Sequence, residues 1–136
     1  MKLNVNLLGL VGAVIGVVAI FLAWLEAGGM TADLRDALDM PSSELGYTAA
    51  IIFIVGTVIA LVSSIGFILQ LAGVAAWAMW FSDTYQGFSG VNLGVGFYLG
   101  IVSAVIVLVS LVKPMGIGMK GPYTLKQRLM VFTPVK

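Results

Sequence analysis

The chain has 136 residues, of which 60% are hydrophobic and 10% charged, and its net charge at neutral pH is +1. A soluble domain carries about 25% charged residues, so this composition points away from one. The sequence has no cysteine and no histidine, which excludes disulfides, thiol nucleophiles, histidine acid–base chemistry and the usual zinc and haem ligands.

The charges are sorted along the chain. Six of the seven basic residues (Lys2, Lys113, Lys120, Lys126, Arg128 and Lys136) lie near the two ends, with no acid among them. The acids Glu26, Asp33, Asp36, Asp39, Glu44 and Asp83 all lie between, together with Arg35. Lys and Arg that flank membrane spans stay on the cytoplasmic side, so this sorting predicts an integral membrane protein with a fixed orientation.

In chain order, the first uncharged stretch is Val5–Trp24, about 20 residues, the length a helix needs to cross the hydrocarbon core. It exceeds the h-region of a signal peptide and no small-x-small site follows it, so it reads as a retained span. Gly9, Gly12, Gly16, Ala19 and Ala23 recur at spacings of 3, 4, 3 and 4. Such a stripe of small residues lets helices approach closely. It serves packing within the chain or contact with a partner, and the sequence does not choose.

The outer loop 25–45 follows. Within it Met30–Pro41 reads as a short helix, with Thr31 as N-cap and Pro41 as its stop. Leu34, Ala37 and Leu38 form its apolar face, and Arg35 and Asp39 are spaced for an i,i+4 pair. The threefold spacing of Asp33, Asp36 and Asp39 matches no calcium loop, so these acids read as a solvated face.

The next uncharged stretch, Leu45–Ser82, is too long for one crossing. It divides into spans 46–63 and 66–81 around a turn at Ser63-Ser64-Ile65-Gly66. Gly56 and Ala60 mark the packing face of the first. Gly66, Gln70 and Gly73 mark that of the second. Gln70 is the one strongly polar side chain deep in a span. It calls for a hydrogen-bond partner such as Ser103, Ser110 or a backbone carbonyl; a transport site is the alternative. A second outer loop, 82–92, leads to the last span, 93–112, whose small face is Gly96, Gly100, Ser103 and Ser110. Lys113-Pro114 closes it.

Trp24, Tyr47, Trp77, Trp80 and Tyr98, with Phe81 and Phe97, fall near the outer ends of these spans. They form a one-sided aromatic belt, for interfacial anchoring with local packing or for docking a partner. The tail 114–136 is basic. A linker runs to Pro122, and a short helix is expected over Thr124–Thr133. Lys113, Lys120, Lys126 and Arg128 would meet lipid head groups or a partner.

Together these elements predict an all-α fold: an antiparallel four-helix transmembrane bundle over residues 1–113, with both termini cytoplasmic. Three spans would put the basic tail outside, against the charge rule. This layout resembles tetraspan membrane proteins such as claudins across the whole chain, as topology alone. The claudin-type loop Trp and paired Cys and the tetraspanin Cys-Cys-Gly signature are absent. Gly96-Phe97-Tyr98-Leu99 is similar to the opening of the last span in small prokaryotic four-span proteins. The resemblance implies a topology and no functional residue.

Spans free of ionisable groups argue against proton or ion coupling. No nucleophile–base pair, P-loop or GxGxxG motif is present. The expected function is therefore non-enzymatic, as a structural or accessory subunit of a membrane assembly. One alternative is a homo-oligomeric pore with Gln70, Ser103 and Ser110 facing the lumen. Another is a membrane-shaping or viral envelope protein. The partners expected are membrane lipids and either other membrane subunits or a second copy, with no nucleic acid, cofactor or metal.

Overall fold

The computed structural model describes residues 3–87, 89–115 and 128–134. In chain order the elements are β1 (Leu3–Val5), α1 (Leu7–Ile20), β2 (Leu25–Ala27), β3 (Met30–Ala32), α2 (Leu34–Ala37), α3 (Leu45–Ala60), α4 (Gly66–Thr84), β4 (Val91–Leu93), α5 (Val95–Val112) and β5 (Phe132–Pro134). α1 packs along α5 and α3 along α4, while α4 with α5 and α1 with α3 make smaller contacts.

Small residues set how closely these helices approach. At Gly66, a Cβ would come within 2.5 Å of the Ala60 backbone nitrogen, so the α3–α4 pair closes backbone to backbone only because glycine stands there. A Cβ on Gly73 would meet the backbone nitrogen of Phe53 at 2.7 Å. α1 meets α5 in the same way: a Cβ on Gly12 would lie 2.9 Å from the side chains of Ile106 and Val107.

Short β-structure closes both ends of the helices. At one end β2 lies between β3 and β4, antiparallel to each, with Glu26 opposite Thr31 on one side and Asn92 on the other. Gly28 and Gly29 link β2 to β3 at φ of +56° and +86°, the two positive angles that a two-residue hairpin turn requires. At the other end β1 pairs with β5, Val5 opposite Phe132. Residues 128–134 thus run back across the molecule as a strap. Ser64 N donates to the Leu129 carbonyl at 2.8 Å, Val131 N to the Val62 carbonyl at 3.0 Å, and Asn6 N to the Val131 carbonyl at 2.8 Å.

Two sequence expectations are corrected by these elements. The fold is not all-α, because paired strands form at both ends of the helices. The tetraspan bundle of transmembrane helices is not supported either: among the described residues only α5 is long and apolar enough to cross a membrane, by length and composition. α1 has 14 residues and α3 has 16. At 1.5 Å per residue these reach about 21 and 24 Å, short of a hydrocarbon core of about 30 Å. α4 has 19 residues, but Gln70, Ser82 and Asp83 dilute its apolar character. The expected span 5–24 shortens because Asn6 caps α1 at its start, accepting from Gly9 N at 3.2 Å, and because the chain leaves the helix at Phe21 and enters β2.

The outer loop also differs from its expectation. Met30–Ala32 is a strand, and the N-cap of the short helix is Asp33, not Thr31. Asp33 Oδ1 accepts from the backbone N–H groups of Arg35 and Asp36, and Asp36 answers by accepting from Asp33 N. Arg35 pairs with Asp33 at 2.8 Å rather than with Asp39. Its guanidinium also sits 5.0 Å from the centre of the Phe21 ring, which ties α2 to the end of α1. The helix expected over 124–133 lies partly outside the described residues; of its described part, 128–129 is helical and 132–133 belongs to β5.

Candidate functional site

Six polar side chains in and beside the long helices are turned inward, whereas Thr48 of α3 and Ser82, Asp83 and Thr84 of α4, toward the sheet end, are exposed. Asn6, Thr57, Ser64, Gln70, Ser103 and Ser110 are all fully buried. Gln70 sits at the centre. Its Nε2 donates to Ser103 Oγ at 2.9 Å and to Thr57 Oγ1 at 3.1 Å, and Ser103 Oγ donates in turn to the Gly12 carbonyl at 2.6 Å. One cluster thereby links α1, α3, α4 and α5. Gly16 makes room for it, since a Cβ there would come 2.6 Å from Ser103 Oγ and 2.8 Å from Gln70 Nε2. Gln70 Oε1 is buried without a hydrogen bond, the one such side-chain atom among the described residues.

Ser110 lies elsewhere. Its hydroxyl donates to the Val107 carbonyl at 2.6 Å, and its own carbonyl accepts from Asn6 Nδ2 at 3.3 Å. Gln70, Ser103 and Ser110 therefore share no surface, and each is enclosed within a single chain.

The small residues Gly9, Gly12, Gly16 and Ala19 of α1 are buried, as are Gly56 and Ala60 of α3 and Gly96 and Gly100 of α5, the last two against Trp24. Ala23 lies beyond the end of α1 and is half-buried. These stripes are used up inside the chain and present no seam to a partner.

The expected aromatic belt is instead mostly core. Trp24 and Trp77 are fully buried and Trp80 nearly so, whereas Tyr47 is half-buried and Tyr98 is 55% exposed. Trp24 packs edge-on against Phe53, Trp77 and Phe97, at centroid distances of 4.8, 5.7 and 5.8 Å. Its indole N–H donates to the Ala19 carbonyl at 2.7 Å, and that of Trp77 to the Trp24 carbonyl at 3.2 Å. Once its polar N–H is satisfied, an indole can be buried whole, so these rings hold the fold rather than an interface.

Outside this interior, the helices expose apolar side chains: Val11, Val14 and Val18 on α1, Ile51, Val55 and Val58 on α3, Ile68, Leu71 and Met79 on α4, and Val102, Val105 and Val109 on α5. Charges collect at the two ends. The described acids are all at the end of the three-stranded sheet. Lys113 and Arg128 are at the strap end and exposed; Lys120 and Lys126 lie outside the described residues. A hollow of about 230 Å³ opens beside the β2–β3 hairpin, walled by Glu26, Met30, Thr31, Gly90 and Asn92. It holds a single carboxylate. Among the described residues no three acidic side chains gather as a metal site.

Sequence reasoning missed Asn6, which joins the start of α1, the end of α5 and the strap. An Asn directly ahead of an apolar run is a helix-start signal, and this one was absorbed into the expected span. Thr57 was missed as well, because a lone threonine in an apolar helix carries no signal of its own.

Compared with known protein families, with characterised proteins and with solved structures, the chain matches none.

Proposed function

We propose that this protein resides in a lipid membrane and acts by association, as a non-catalytic structural or accessory component of a membrane assembly. The observation that carries this reading is the inversion of polarity: the side faces of the long helices expose Val, Ile, Leu and Met, while Gln70, Thr57 and Ser103 are buried and bonded to one another. Water would solvate those amide and hydroxyl groups and penalise the apolar exterior. Lipid does the reverse. Monomeric soluble proteins rarely expose contiguous apolar patches beyond a few hundred Å². The reading concerns what surrounds the helices, and four full crossings form no part of it.

Association is favoured over chemistry because the buried polar groups are engaged in holding helices together. Their enclosure within one chain also speaks against the pore alternative. The test is fractionation followed by cross-linking. The protein is expected in the membrane fraction after alkaline carbonate washing. In mild detergent, cross-linking with mass spectrometry is expected to recover a defined partner or a second copy. A soluble monomer, stable without detergent, would overturn the proposal.

A further inference from the structure

We infer that the strap end of the protein binds the anionic head groups of phospholipids, which rests on the membrane reading above. Four pieces of chain converge at this end: the start of α1, the α3–α4 turn, the end of α5 and the strap. Leu8 N donates to the Met115 carbonyl at 3.0 Å, and Ser63 Oγ to the Leu129 carbonyl at 2.8 Å. The Ser64 hydroxyl donates to the carbonyl of Arg128. The backbone of Arg128 is thereby fixed on the turn, while its side chain is exposed.

Two kinds of side chain emerge together here. Lys113 and Arg128 are exposed and form no ion pair among the described residues. Beside them Val62, Ile65, Met115 and Phe132 are each 40% exposed or more. No described acid lies at this end; all are at the sheet end. A surface both basic and apolar, continuous with the apolar helix faces, has a matching occupant. A leaflet presents anionic phosphates at the same level as the first acyl carbons. A nucleic acid or an acidic peptide would match the two charges and leave the four apolar side chains in water.

The full-length protein is to be reconstituted in vesicles of phosphatidylcholine alone and of phosphatidylcholine with phosphatidylglycerol in equal parts. It is then extracted in mild detergent, and the retained lipid is quantified. A basic residue near an anionic surface contributes about 1 kcal/mol, or about fivefold in affinity. The expected result is retained lipid enriched in phosphatidylglycerol over the input. Lys113→Gln and Arg128→Gln should each lower that enrichment by up to about fivefold, and raised salt should lower it further. Asp83→Asn, at the opposite end, should leave it unchanged. Retention at the input ratio, or enrichment that survives the double Gln variant, overturns the inference alone. Failure to enter vesicles of either composition overturns the membrane reading with it.

Discussion

Replacing Gln70 by Leu should leave stability within about 1 kcal/mol of its starting value, although the residue is fully buried and bonded to two partners. The two lost hydrogen bonds contribute about 0.5–1.5 kcal/mol each, nearer 0.6 where lipid surrounds the helices. Against that loss, Leu removes the unbonded Oε1, a stranded acceptor that costs about 1–3 kcal/mol. The volume is nearly conserved, so no large cavity opens. Ser103 keeps its donation to the Gly12 carbonyl, and Thr57, which loses its Gln70 partner, can turn its hydroxyl to a carbonyl one turn back in α3. Ser103→Ala is the opposite case. It strands one Gln70 N–H inside the protein and takes the donor away from Gly12, so it should destabilise by about 2 kcal/mol. The double variant Gln70→Leu/Ser103→Ala strands nothing on Gln70, and should be less destabilised than the sum of the two single changes. Unfolding of the detergent-solubilised protein by dodecyl sulfate, followed through the fluorescence of the buried Trp24 and Trp77, measures all three. A loss of 2 kcal/mol or more, as an order of magnitude, in Gln70→Leu together with a neutral Ser103→Ala would refute the reasoning.

Other changes should act elsewhere in the fold. Gly66→Ala forces a methyl into the Ala60 backbone and should destabilise by about 3 kcal/mol or more, read as loss of folded protein in the same titration. Trp24→Ala empties the centre of the aromatic cluster and should cost about 3–5 kcal/mol, with a visible loss of near-ultraviolet circular dichroism. Burial alone would raise the Asp33 carboxyl, but the hydrogen bond from Arg35, the N–H groups of Asp36 and Arg35, and the Arg35 charge together hold it below its ordinary value of 3.8. A group depressed on folding stabilises fully above its unfolded pKa and loses that contribution as pH falls through the folded one. Thermal melting should therefore fall on acidification below the ordinary carboxyl value, and fall less in Asp33→Asn, which keeps an oxygen for the cap but carries no titrating charge.

What the sequence makes legible is the apolar periodicity of the long helices and the small residues on their inner faces. Gly12, Gly16, Gly66 and Gly100 stand out because close approach admits nothing larger. Gln70 stands out as the lone amide among apolar neighbours. The ends are harder to read. Strands of three residues are too short to show a twofold alternation, and their pairing depends on chain segments far apart in sequence, such as Val5 with Phe132. One local signal was present. Gly28-Gly29 between Leu25-Glu26-Ala27 and Met30-Thr31-Ala32 is a hairpin turn by its residue types, and it is what draws Thr31 into a strand and leaves the cap to Asp33. The burial of Trp24 was not legible, because a tryptophan at a helix end satisfies the pattern of an interfacial anchor and that of a core residue equally.

Helix length and the direction of side-chain polarity answer different questions. Length asks whether one helix can reach from one side of a bilayer to the other, and among the described helices α5 alone combines the length and apolarity to do so. Polarity asks what medium the side chains face. A helix too short to cross still has terminal N–H and C=O groups to satisfy, and lipid offers them nothing. Here the chain supplies the partners itself. Gly96 N at the start of α5 donates to the Ala23 carbonyl at 2.6 Å, Trp24 N donates to Ala32 at 2.8 Å, and Leu8 N at the start of α1 finds Met115. Of these acceptors Ala32 belongs to a strand, β3, while Ala23 and Met115 lie outside the strands. Buried backbone groups need such partners in water as well as in lipid, so the closure fits either medium. What bears on the medium is the side-chain polarity: Gln70, Thr57 and Ser103, buried and bonded beneath exposed Val, Ile, Leu and Met, are the observation on which the proposed lipid surroundings rest.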